Sequence, residues 1–156
     1  MATSAVPAAI TALLALLTPA PALADVRVID GPPPSTNFAE ADRLYVGWSP
    51  GAEQAAEIQQ EFASAGARTR DEEAAISCYI ETREGGGDMA WCRARVFELL
   101  AVVEDLLRAT TAVPDAPTLG GAVLWSELTA GSLIQEQTSD GAYAGLGFTV
   151  RTRARI

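Results

Sequence analysis

The chain has 156 residues, 49% of them apolar, enough for one domain with a real core and too many for wholesale disorder. The formal charge is −9, with 20 acidic residues against 11 basic ones, every one of them arginine. This balance argues against a sequence-specific nucleic-acid reader, which concentrates basic surface, and the absence of histidine removes Ser-His-Asp and Cys-His catalysis.

Ser4 to Leu17 is predicted as a helix. Val6, Ile10, Leu13, Leu14 and Leu17 recur at helical spacing, and Pro19 ends the run. The same segment has a second reading. Ile10 to Leu17 is a short apolar core, and Ala22-Leu23-Ala24 before Asp25 resembles a signal-peptidase site. No Lys or Arg precedes Asp25, so the positive start of a signal peptide is missing, and the packed helix is preferred. The run is also shorter than the roughly 20 residues of a membrane span, so no membrane contact is expected.

Val26 to Ile29 and Leu44 to Trp48 are predicted strands, separated by a loop that Gly31-Pro32-Pro33-Pro34 enforces. Ala52 to Arg68 is rich in Ala, Gln and Glu but lacks a clean apolar face. It is expected either as helix or as a mobile loop with a helical turn. Ala74 to Thr82 alternates: Ile76, Cys78, Ile80 and Thr82 on one face, Ser77, Tyr79 and Glu81 on the other, as a half-buried strand requires. Gly85-Gly86-Gly87 ends it, and Asp88 stands as the N-cap of a helix reaching Arg108. Cys92, Val96, Leu99, Leu100, Val103, Leu106 and Leu107 mark the buried face of that helix. Ala112 to Gly121 is a connector. Ala122 to Leu128 and Ser132 to Thr138 are extended, and Ser139-Asp140-Gly141 is a tight turn into a last strand, Ala142 to Arg153. The order predicts a single α+β domain over residues 1–156: a mostly antiparallel sheet with two main helices packed on one face, residues 1–24 being helix and linker.

Few groups promise chemistry. Cys78 and Cys92 read as buried small hydrophobes, and without histidine or a paired cysteine motif no metal or cofactor is expected. Gly85 to Asp88 opens a helix, but Glu84 and Asp88 flank it where a phosphate cradle would carry a cation. Asp71, Glu72 and Glu73 read as a solvated strand edge. Arg151, Arg153 and Arg155 alternate, forming one solvated or partner-facing side of a terminal strand. Trp48, beside a Pro-Gly turn, is the expected interface anchor. The candidate interface is therefore Trp48, Asp71, Glu72, Glu73, Gly86, Asp140, Arg151 and Arg153. The segment from Glu53 to Arg70 and the turn from Glu84 to Asp88 are expected to order only on assembly.

Several fragments resemble tail terminator (tail completion) proteins of tailed phages. They are Val26-Arg27-Val28-Ile29-Asp30-Gly31-Pro32-Pro33, Leu44-Tyr45-Val46-Gly47-Trp48, and Glu72-Glu73 leading into Ile76-Ser77-Cys78-Tyr79-Ile80. Arg95-Val96-Phe97-Glu98-Leu99-Leu100 with Val103-Glu104, Gln135-Glu136-Gln137-Thr138, and Phe148-Thr149-Val150 are similar too. The resemblance covers most of the chain and rests on element order and short fragments. It implies a small α+β virion subunit, assembled in the host cytoplasm, that forms a hexameric ring. That ring would cap the tail tube, join it to the head–tail connector proteins, and let DNA through its lumen without sequence-specific binding. No catalytic residues are implied. The alternative is an exported acidic domain, with an N-terminal signal peptide, that binds a surface or small ligand.

Overall fold

A computed structural model describes residues 2–36 and 39–156; Met1, Asn37 and Phe38 lie outside the described residues. Among these the chain forms helices α1 (Val6–Leu17) and α2 (Met89–Leu107) and six strands. The strands are β1 (Val26–Asp30), β2 (Asp42–Val46), β3 (Ala56–Phe62), β4 (Arg70–Glu84), β5 (Trp125–Thr138) and β6 (Gly141–Arg155). The fold is α+β, with a mostly antiparallel sheet ordered β1-β2-β4-β6-β5. Only the β1–β2 pair is parallel.

Strand β4 is the spine. It pairs with β6 from Asp71–Arg155 to Glu84–Ala142. On its other flank β2 takes the later half and β3 the earlier half. The two share that flank because Gly47, at φ +81°, turns the chain after Val46, which ends β2 two residues before the predicted Trp48. The Gly47 amide then bonds the Ser77 carbonyl, and the Ser77 amide bonds Ala55.

The alternation read from the sequence places the core. Ile76, Cys78, Ile80 and Thr82 are fully buried under the helices, beside Leu44, Val46, Ala144, Leu146, Phe148 and Val150. Against them α2 sets Cys92, Val96, Leu99, Leu100, Val103 and Leu107, and its first turn is capped by Asp88, which accepts the Trp91 amide at 3.0 Å. α1 joins the same layer through Ala9, Leu13 and Leu17, and Leu23 follows it into the core.

Two expectations are corrected. Residues 52–68 hold strand β3, not a helix or mobile loop. Both faces of β3 are largely solvated, so it carries no periodic apolar signal, and pairing with β4 overrides its helix-prone composition. The extended segments predicted on either side of residues 129–131 are one strand, β5, with a bulge between Ala130 and Leu133. Gly131 permits it: a Cβ there would sit 2.8 Å from the Gly147 carbonyl oxygen.

Candidate interface and polar networks

The helices cover one face of the sheet. The other face is arranged in three zones along β4 and β6.

The first zone is aromatic. Tyr45, Tyr79 and Tyr143 converge on the buried carboxylate of Glu81. Tyr45 donates to Glu81 Oε1 at 2.7 Å and Tyr143 to Oε2 at 2.8 Å. Tyr143 has a single hydroxyl proton, given to Glu81, so in the 2.6 Å contact between the two hydroxyls Tyr79 is the donor. Arg43 lies 3.7 Å from Glu81, and Arg83 sits over the Tyr143 ring. Trp48 meets Tyr45 and Tyr79 edge-on, with centroids 4.9 and 5.8 Å away. Burial, then the Glu81 hydrogen bond and charge, push the Tyr45 hydroxyl up to about 12. Tyr143 is raised by burial, by Tyr79 and by Glu81, and Tyr79 by burial above all.

The second zone is a shallow hollow of about 210 Å³ lined by Ser49, Ser77, Ser132, Gly147 and Thr149. Among the described residues Tyr79 is its only ionisable lining group, and no acid–base pair converges there.

The third zone is a set of charged rows. Glu61, Asp71 and Arg155 lie in one row, Gln59, Glu73, Arg153 and Trp125 in the next, and Glu57, Ala75, Arg151 and Glu127 in the third. Arg155 grips Asp71 through two nitrogens at 2.7 and 3.2 Å and holds its carboxyl below the usual range. Arg153 stands 3.8 Å from Asp71 and 3.9 Å from Glu73, and Arg151 lies 3.5 Å from Glu127.

Against this geometry the candidate residues divide. Asp71, Glu73, Arg151 and Arg153 do share a solvated patch on the open face. Glu72 does not. β4 is a central strand, not an edge, and its alternation turns Glu72 to the helix side, where it is 1% exposed. There Glu72 accepts the Ala5 amide at the start of α1 at 2.9 Å and the Gln60 side-chain amide at 2.5 Å. Gln60 also donates to the Thr3 carbonyl at 2.8 Å. Gly86 and Asp140 are exposed but lie at the far end of β4, roughly 40 Å away at the rise of an extended strand. The Glu84 carboxylate accepts the Gly86 and Asp88 amides at 2.8 and 2.7 Å, and Gln137 donates to the Gly87 carbonyl at 3.0 Å. The Glu84–Asp88 turn thus bonds to its own chain and to β5, and residues 56–62 of the Glu53–Arg70 segment form β3. Trp48 is half-buried in the aromatic zone and is not a protruding anchor.

The tyrosine–Glu81 network was missed by sequence reasoning. The alternation places Tyr79 and Glu81 on the outward face, which in a one-sheet reading is wet. The recurrence of Tyr45, Tyr79 and Tyr143, all three tyrosines of the chain, is the signal that marks it.

A partly buried ion pair fastens α2 to the sheet. Thr82 donates to Asp42, and Arg95 Nε bonds the other Asp42 oxygen at 2.9 Å while reaching Glu98 at 3.1 Å. Cys78 and Cys92 are free and buried, and burial pushes the Cys78 thiol up to about 12, far from a reactive thiolate. Among the described residues no group of three His, Cys, Asp or Glu is placed to hold a metal ion. Neither a family model nor a curated protein matches the sequence.

Proposed function

We propose that this chain is a structural virion subunit that caps a phage tail tube as a homohexameric ring and joins the tail to the head. One observation carries the reading: the buried ionic and hydroxyl groups Asp42, Glu72, Glu81, Thr82 and Tyr45 are tied into internal networks, while, among the described residues, the charged rows of the open sheet face and the outer edge of β5 stand uncovered. Such a molecule offers surface, not reacting groups, and surface is what a ring subunit uses. The acidic balance suits a channel for DNA, since an acidic wall repels the phosphate backbone and lets it slide. The resemblance supplies the place, the head–tail junction, and the partners, tube protein and connector proteins.

The packing of α1 favours this reading over the exported one. Leu13, Leu17 and Leu23 are buried in the common core, and Glu72 is satisfied by Ala5. Cleavage before Asp25 would strip that layer and leave a buried carboxylate short of a partner. Labelling the chain in purified particles and imaging them should reveal a closed ring of six at the head end of the tube. A single copy per tail, or label absent from tails, rejects the proposal. A mature chain starting at Asp25 would instead favour export.

A further inference from the structure

Among the described strands none pairs with the outer edge of β3. Ala63 donates to Thr69 and Ser77 to Ala55, so the odd-numbered residues of β3 bond to β4. In an antiparallel ladder the alternate residues then aim outward. The N–H and C=O groups of Ala56, Ile58, Gln60 and Phe62 therefore face the free edge. The side chains of Ile58 and Phe62 stand on one side of it, 45% and 72% exposed. β3 has no proline, no bulge and no lysine, and its two charges, Glu57 and Glu61, both stand on the open face, away from Ile58 and Phe62. The edge of β5, by contrast, is broken by its bulge.

We propose that this edge is a contact between two copies of the chain, paired antiparallel about a twofold axis at Gln60. The side chains select that register. With Gln60 opposite Gln60 of the partner subunit, Ile58 faces the partner's Phe62, and Phe62 faces the partner's Ile58. On the open face Glu61 meets the partner's Gln59 and Gln59 the partner's Glu61, so no like charges are directly opposed. A register centred on Gln59 would set Glu57 against the partner's Glu61 twice, which is repulsive. A register centred on Ile58 would leave Phe62 without an apolar neighbour across the edge. The sequence of β3 thus complements its own reverse, the requirement of an isologous interface. The occupant is a second copy, and pairing covers an edge that would otherwise template aggregation.

This contact is distinct from those of the proposed ring, whose subunits meet head to tail, and it stands or falls apart from the tail reading, which is tested on particles. The test is sedimentation equilibrium of the full chain over a range of concentrations. A concentration-dependent dimer is expected. Ile58→Pro removes an outward N–H without touching the β4 ladder and should abolish it; Phe62→Thr should weaken it at least tenfold, with the far-ultraviolet spectrum unchanged. Gln59→Arg should tighten it several-fold, because each introduced guanidinium faces the partner's Glu61, a gain that misfolding cannot mimic. A wild-type monomer at the highest soluble concentration overturns the proposal. So does a dimer that Gln59→Arg weakens, or one indifferent to both Ile58→Pro and Phe62→Thr in folded protein.

Discussion

The hydroxyl of Tyr79 occupies the place that a side chain would take at residue 145. A Cβ on Gly145 would lie 1.6 Å from Tyr79 Oη and 2.3 Å from the ring. The glycine is therefore part of the aromatic network: it lets Tyr79 lie across β6 and reach Tyr143, which in turn reaches Glu81. Gly145→Ala should evict the ring, break that chain of hydrogen bonds and destabilise the fold by about 2–4 kcal/mol, the overpacking and lost-bond costs combined. Urea unfolding measures this, and a change below about 0.5 kcal/mol, the level of an inert surface substitution, would show that the ring has another resting place.

Glu72 holds the start of α1 to the sheet. Glu72→Ala leaves the Ala5 amide and one bond of Gln60 unmade, at a cost of about 1–3 kcal/mol. The damage should be local first. Hydrogen exchange should speed up across Val6–Leu17 more than across Met89–Leu107. Equal acceleration in both helices would mean that Glu72 supports the whole core and not one helix.

Leu100 faces the sheet from α2 and is buried. Leu100→Asp places an unpaired charge in that layer and should prevent folding. Phe97→Asp, on the exposed side of the same helix, should be tolerated. Indistinguishable melting curves for the two variants would contradict the assignment of faces.

Alkaline pH should unfold the protein through its tyrosines. Tyr45 is held neutral to about 12, and Tyr79 and Tyr143 are raised as well. An unfolded chain ionises its tyrosines near 10, so above that pH the folded state binds more protons than the unfolded one. The sign follows: this stability is complete below pH about 10 and is lost as pH climbs towards 12. Because these are the only tyrosines, phenolate absorbance reports on the network alone. It should rise late and together with loss of the near-ultraviolet signal. Titration near pH 10 in a chain that stays folded would show the hydroxyls open to water.

Much of the helix side of this protein was determined by its sequence. The period of two from Ile76 to Thr82, the Asp88 cap, the heptad-like leucines of α2 and the Asp140-Gly141 turn each act within a few residues, and local order is what a sequence displays. The assignment of Leu13 and Leu17 to a fold element is equally local. Tertiary structure decided the rest. β3 exists as a strand because β4 offers it a ladder, a force absent from its own residues. Glu72 parts from Asp71 and Glu73 because alternation turns it to the helix side of β4, where the start of α1 and Gln60 cover it. The convergence of Tyr45, Tyr79 and Tyr143 on Glu81 needs three strands brought side by side, and residues so far apart in the chain meet only when the sheet closes around them.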